Sequence, residues 1–375
     1  MTSELLKYQI AIDMIPKIGS INAKKLIAYC GGVDAVFKQS KRALTKIPGI
    51  GEILAHEIVN QKVLDRAQKE VEFVLKHKIR ALYYLDTEYP DRLRQCEDGP
   101  IVLFLKGNPE VNLNQQKVIS IVGTRSITDY GKEACETLIK DLTLRGHKPI
   151  IISGLAYGVD ICAHKSALKY ELPTVAVLGH GLDRIYPDAH RPIAKEIVSK
   201  GALVTDFPSF TSCEKNNFIK RNRIIAGLVD ATIVVESAEQ GGSLITADIA
   251  NSYNREVFAL PGQIFQKYSK GCNRLIKQNK AALIESAEDI EFLLGWEKPG
   301  EVKKPTQTIL FPVLSDEEKI IMGVLQENGS EVIDAICVKT KMPVAKVSSI
   351  LLNLEFSGLV KCKPGKVFAL TSVCK

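Results

Sequence analysis

Residues 117–142, KVISIVGTRSITDYGKEACETLIKDL, and then residues 149–168, PIIISGLAYGVDICAHKSAL, decide the fold. Lys117–Val122 is a β-branched, apolar run of the kind found in strands buried on both faces. Thr128 or Asp129 stands where a helix N-cap belongs, and Ala134, Leu138 and Leu142 recur at helical spacing behind it. The pattern then repeats, with Pro149–Ser153 as a second strand and Val159–Leu168 as a second helix. Thr174–Leu178, Ala202–Asp206, Ala231–Glu236 and Glu256–Leu260 extend the series, and Ala282–Ile284 reads as a last short strand. Strands alternating with helices make a mostly parallel sheet with helices on both faces. The fold class is therefore α/β, a Rossmann-like mostly parallel sheet domain.

Other units flank this sheet. Residues 1–64 read as short helices punctuated by glycine. Ile47-Pro48-Gly49-Ile50-Gly51, followed by Ala55 and Ile58, has helix-hairpin-helix spacing, and Ile18-Gly19-Ser20-Ile21 is a looser copy of it. The loop carries little charge, which favours a packing module over a ligand site. Residues 65–296 form the extended Rossmann-like domain, and 297–312, EKPGEVKKPTQTILFP, read as a linker. Residues 313–375 read as a winged helix of three helices and a hairpin, with Lys363-Pro364-Gly365-Lys366 at the hairpin tip. Its second helix exposes Lys346, Ser348, Ser349 and Asn353; with one cation among them, packing or protein contact is favoured over duplex DNA.

Composition bounds the function. In 375 residues, 45% are hydrophobic and 25% charged, which excludes a disordered tail, a fibre or a disulfide knot. A net charge of +7 permits a polyanionic partner without requiring one. The nine cysteines form no C-x2-C pair and there are six histidines, so no structural zinc is expected; scattered reduced thiols suit a cytoplasmic location. The N-terminus lacks signal-peptide features and no apolar run is long enough to span a membrane.

The loops after the strands carry the chemistry. They hold Gly123-Thr124-Arg125, Ser153-Gly154 with Gly158, Gly179-His180-Gly181, and Gly241-Gly242-Ser243 with Thr246. In an open α/β sheet these carboxyl-terminal loops form the binding crevice, where glycines let a ligand approach and helix starts offer amides to phosphate. No loop has the P-loop pattern, and the first lacks a full dinucleotide fingerprint, so no cofactor is expected. Lys215, Lys220, Arg221 and Arg223 make the densest basic cluster, with Asn222 among them and Phe218 available to stack on a base. Ser153, Ser243, His164 and His180 lack an evident orienting carboxylate, which argues against catalysis, and His164 reads as a structural hydrogen bonder.

The segments SIVGTRSITDYG (120–131), SGLAYGVDICAHKSAL (153–168), VAVLGHGLDRIYP (175–187), RNRIIAGLVD (221–230), QGGSLITADIA (240–250) and REVFALPG (255–262) resemble the DNA processing protein A (DprA/Smf) family. EYPDRLRQCEDGPIVLFLKG at 88–107 resembles that family's entry into the domain. The resemblance implies a non-enzymatic single-stranded DNA-binding protein, active in natural transformation and recombination, that protects incoming DNA, helps load the recombinase RecA and forms a homodimer. By matching position, Gly123, Thr124, Arg125, Ser153, Gly154, Gly179, His180 and Gly181 would line the DNA pocket. Lys215, Phe218, Lys220, Arg221, Asn222 and Arg223 would contact phosphates or stack, and Gly241, Gly242, Ser243 and Thr246 would complete the floor. The chain departs from the family at 210–222, FTSCEKNNFIKRN, where proline-rich residues usually precede a Phe-Pro pair. About five neutralised phosphates would give a slope of log K on log salt near −3.5. The alternative is a ribose–base-cleaving enzyme of the lysine-decarboxylase-like group. That group's loop needs a third glycine and a glutamate, where this chain has Leu244 and Asp248.

Overall fold

The computed structural model describes residues 3–114, 117–297 and 314–371. Apart from Glu297, the linker expected at 297–312 lies outside the described residues. Nine strands form one sheet: β1 (Arg80–Tyr83), β2 (Val102–Gly107), β3 (Val118–Val122), β4 (Ile150–Ser153), β5 (Thr174–Val177), β6 (Ala202–Thr205), β7 (Ala231–Val234), β8 (Glu256–Ala259) and β9 (Ala282–Leu283). Their order is β1-β2-β6-β5-β4-β3-β7-β8-β9. From β6 to β9 every neighbouring pair is parallel, whereas β1–β2 and β2–β6 are antiparallel.

The alternation of side chains along each strand explains why both faces are covered. Val118 and Val122 of β3 join Ile150 and Ile152 in one core, closed by Ile224 and Ile225 of helix Lys215–Gly227, by Leu228 just after it, and by Leu244 and Ala247 of helix Gly242–Ser252. Ile119 and Ile121 point the other way. They meet Cys135, Leu138 and Leu142 of helix Asp129–Leu144 and Val159, Ala163 and Ala167 of helix Val159–Lys169. Thr128 caps the first of these two helices, its Oγ1 accepting from the Gly131 amide at 3.2 Å.

The sequence reading did not identify β1 and β2. They extend the β6 edge, and Tyr83, Val102 and Phe104 share a core with Leu6, Ile10, Leu26 and Ile50 of the N-terminal helices. Helix Leu64–Lys76 belongs to that core through Val71 and Val74, so apolar packing continues across residue 64. At the other end of the chain, three helices and a three-stranded antiparallel sheet enclose a separate core of Ile321, Leu325, Ile336, Val347, Leu351 and Leu354. Ser330–Val332 is a strand of that sheet.

From β3 the chain steps outward to β4, β5 and β6, then returns to β7 on the other side of β3. The carboxyl ends of β3 and β7 therefore flank the switch point of the sheet. Beyond it, helix Ala287–Leu294 is pinned to the end of helix Asp129–Leu144. Glu291 accepts from Arg145 Nε and His147 Nε2, both at 2.7 Å. Those bonds, led by Arg145, pull the Glu291 carboxyl down to about 2.

Because its folded value lies below the unfolded one of about 4.3, Glu291 stabilises the fold above that pH and stops doing so as pH falls towards 2. Glu291→Gln should lower stability at pH 7 by about 1–3 kcal/mol. Urea unfolding midpoints should show the gap between parent and variant closing as pH is lowered through 4.3.

Candidate nucleic-acid interface

The switch point is filled from within the chain. Glu236, just past β7, is 3% exposed. Its carboxylate accepts from the Thr128 amide at 2.8 Å and the Thr128 hydroxyl at 2.6 Å, and its carbonyl accepts from the Thr124 amide at 2.7 Å. A negative group thus sits at the start of helix Asp129–Leu144, where the helix dipole favours an anion. A Cβ on Gly131 would overlap that carboxylate, and one on Gly123 would overlap Val159.

The β4 loop is held in the same manner. The Asp160 carboxylate accepts from the amides of Gly154 at 3.1 Å and Ala156 at 3.4 Å. Burial raises the Asp160 carboxyl, and the positive charge of Arg221 opposes that rise. Beneath the loop, Arg221 donates to the carbonyls of Gly154, at 2.7 Å, and Val177. Burial lowers the Arg221 guanidinium to about 10, which leaves it charged at neutral pH. Gly158 has φ +78°, and a Cβ there would strike the Thr124 carbonyl, so the β3 and β4 loops touch through their backbones.

These contacts correct several expectations. The glycines were expected to admit a ligand. At Gly123, Gly154, Gly179, Gly181 and Gly241 the close neighbour is instead Val159, Arg221, Phe218, Pro208 and Ser237, respectively. Of the glycines expected in the site, Gly242 alone faces open space. The amides of Thr128, Gly154 and Ala156, expected to grip phosphate, are taken by Glu236 and Asp160. Ser153 donates to the Ile121 carbonyl at 2.7 Å, Ser243 to Ser237 Oγ at 2.9 Å, and Thr246 is buried. His180 is fully buried with Nδ1 against the Gly181 carbonyl, and burial lowers its pKa.

The basic helix divides into two faces. Arg221, expected at a phosphate, is 4% exposed because it occupies the helix stripe that carries Ile224, Ile225 and Leu228 into the core. Arg223, likewise expected at a phosphate, pairs with Asp206 at 2.5 Å and donates to the Asp98 carbonyl. Lys215 and Lys220 are exposed, Phe218 and Asn222 half-buried. Thr124 is half-buried and Arg125 exposed at the junction of the β3 and β4 loops. Among the described residues, Arg125, Lys215 and Lys220 enter no ion pair, whereas the two arginines are anchored inside.

Two rings escaped the sequence reading. Tyr186 packs on Phe218 at a tilt of 42° with centroids 5.6 Å apart, and Tyr157 meets His190 edge-on at 4.8 Å; each tyrosine is 51% exposed. Both follow glycine-bearing loops, in LAYG and DRIYP, and that position was the available signal. Phe218 also packs on Gly179, so Arg125, Tyr157, Phe218 and Tyr186 sit on loops and a helix start along one rim of the sheet.

Potential reactive groups are engaged elsewhere. His164 Nδ1 lies 2.7 Å from Thr174 Oγ1, and burial drives its pKa down to about 3. Asp248 pairs with Lys280 at 2.8 Å on the surface. No group of three or more metal-ligating side chains occurs among the described residues, and no helix there is long and apolar enough to cross a membrane.

Fold and rim define a Rossmann-like protein whose own carboxylate closes the usual nucleotide position and whose free cations lie outside it. The description "DNA recombination-mediator protein A" matches residues 80–294, and "DprA winged helix domain" matches 311–366. Protein Smf of Synechocystis is 30% identical over 391 residues, spanning 96% of this chain and 97% of that protein. DNA processing protein DprA of Bacillus subtilis is 41% identical over 203 residues, spanning 54% of this chain and 67% of that protein. Among solved structures, DprA of Streptococcus pneumoniae aligns with TM-score 0.66 and 30% identity over 77% of this chain and 97% of that one. DprA of Helicobacter pylori, solved for its single-stranded DNA binding mode, aligns with TM-score 0.51 and 28% identity over 58% of this chain and 95% of that one. The chain belongs to the DprA/Smf family.

The two kinds of arginine separate by experiment. Arg221→Ala strands two buried carbonyls and Asp160, and should lower stability by about 3 kcal/mol. Arg125→Ala, on the surface, should stay within about 0.5 kcal/mol of the parent. Chemical denaturation of both variants checks the contrast.

Proposed function

We propose that the chain binds single-stranded DNA along the carboxyl-terminal rim of its sheet and hands it to the recombinase RecA in natural transformation and recombination, as a non-enzymatic homodimer. One observation carries the reading: Arg125, Lys215 and Lys220 are exposed without ion pairs on a rim that also presents Tyr157, Phe218 and Tyr186. Unpaired cations attract phosphates, and accessible rings stack on unpaired bases of any sequence. Lys215 strengthens the argument. It is the first residue of helix Lys215–Gly227, where the helix dipole disfavours a cation unless an anion joins it. The binding mode described for the Helicobacter pylori relative agrees with this choice of ligand.

The internal bonds of Glu236 and Asp160 move the work of holding phosphate from loop amides to side chains. With Arg221 and Arg223 withdrawn, three cations remain, and the expected salt slope falls from near −3.5 to about −2. Ser153, Gly154, Gly179, His180, Gly181, Gly241, Ser243 and Thr246 then shape the rim from below. Residues 1–64, 65–296 and 313–375 are proposed as three functional units. Lys346 of the last is paired with Glu317, which supports a packing or protein-contact role for the winged helix. The homodimer is proposed at the open β9 edge, where Leu283, Phe292 and Leu293 are 46%, 84% and 40% exposed.

Titrating labelled oligo-dT at several salt concentrations should give a slope of about −2, and Lys215→Ala should flatten it by about 0.7. Phe218→Ala should weaken binding by about 1–3 kcal/mol for all base compositions alike. Salt-independent affinity, or free base released from nucleoside monophosphates, would overturn the reading. Sizing should find a dimer that Phe292→Asp converts to a monomer; an unchanged mass would move the interface elsewhere.

A further inference from the structure

Two thiols meet beneath the rim, on helices that nothing in the DNA-binding reading requires to carry cysteine. Cys135 lies on helix Asp129–Leu144 and is fully buried; Cys162 lies on helix Val159–Lys169 and is partly exposed. The Cys162 sulfur is 4.0 Å from the carbonyl of Lys132, one turn before Cys135, so it rests on the face of the neighbouring helix that bears the other thiol. The two thiols also act on each other's protonation, Cys135 raised and Cys162 lowered. Both residues pack in one apolar cluster with Ile119, Ile151 and Val159.

We propose that Cys135 and Cys162 form a redox-active pair that closes to a disulfide between the two helices when the protein meets a hydroperoxide.

The environment assigns each sulfur its part. The neighbouring Cys135 thiol, aided by Ser166 and the charge of Lys132, brings the Cys162 thiol below its ordinary value against burial and Glu136. Cys135 is pushed well above its ordinary value by the same contact and by burial. The thiols of Cys30, Cys96, Cys213, Cys272 and Cys362 all move upward. Cys162 is therefore the attacking thiolate and Cys135 the resolving thiol.

In the first step the Cys162 thiolate attacks one peroxide oxygen. The O–O bond breaks, a sulfenic acid forms and hydroxide leaves. In the second step Cys135 sulfur attacks the sulfenic sulfur. The S–O bond breaks, the S–S bond forms and water leaves with the Cys135 proton. Two sulfurs lose one electron each, and hydrogen peroxide is reduced to two waters. The bridge ties together the two helices that begin beside the Arg125 and Tyr157 loops.

The test uses the reduced full-length protein, treated with a small excess of hydrogen peroxide, alkylated, and mapped by mass spectrometry without reductant. A peptide pair joined through Cys135 and Cys162, released by dithiothreitol, is expected. Before oxidation, iodoacetamide should label Cys162 about tenfold faster than Cys30 at neutral pH. Cys135→Ala should abolish the bridge and leave a sulfenic acid at Cys162 that dimedone traps; should that variant not fold, the map of the parent protein decides. Cys162 joined to another cysteine, or oxidised beyond sulfenic acid while Cys135 stays fully alkylatable, or unreacted beside other oxidised cysteines, would overturn the proposal.

Discussion

A carboxylate bound inside its own sheet governs this structure. Glu236 occupies the start of the first sheet helix through the amide and hydroxyl of Thr128, at the point where open α/β proteins receive an external anion. That bond joins the ends of β3 and β7, which belong to opposite halves of the sheet. It also removes the most favourable phosphate position from use. Outside that position, Arg125, Lys215 and Lys220 are exposed and enter no ion pair among the described residues.

Asp160 and Arg221 do the same for the next loop. The acid takes its amides from one side and the guanidinium its carbonyl from the other, so the β4 loop is fixed by two opposite charges that remain inside. The Lys215–Gly227 helix thus has two tasks. Its inner face carries Arg221 and the apolar residues that close one core of the sheet. Its outer face carries Lys215 and Lys220, with Phe218 between them against Tyr186.

The parallel strands were legible because burial on both faces makes continuous apolar runs, as in Val118–Val122 and Ile150–Ser153. β1 was not, since Arg80 opens it and its partner strand, β2, lies far along the chain. The glycines were expected to admit a ligand, and the chain's own side chains and backbone approach them instead. What approaches them was not visible, because Arg221 reaches Gly154 across 67 residues. Its burial did leave a trace: Arg221 precedes Ile224, Ile225 and Leu228 at helical spacing, the stripe that faces the core. Four cations close together in sequence therefore divide between the two faces of one helix. Arg223 had no such mark, since its partner Asp206 comes from the end of another strand.

The central claim is that an unpaired strand lies across the outer cations and rings rather than on the loop amides. Photocrosslinking with an oligo-dT carrying 5-iododeoxyuridine tests it most directly, since the excited base joins to aromatic side chains that it touches. Adducts should map to Phe218, Tyr186 or Tyr157 and fall away when Arg125 and Lys215 are both replaced by alanine. Adducts confined to the N-terminal helices or to the winged helix, and indifferent to those replacements, would contradict it.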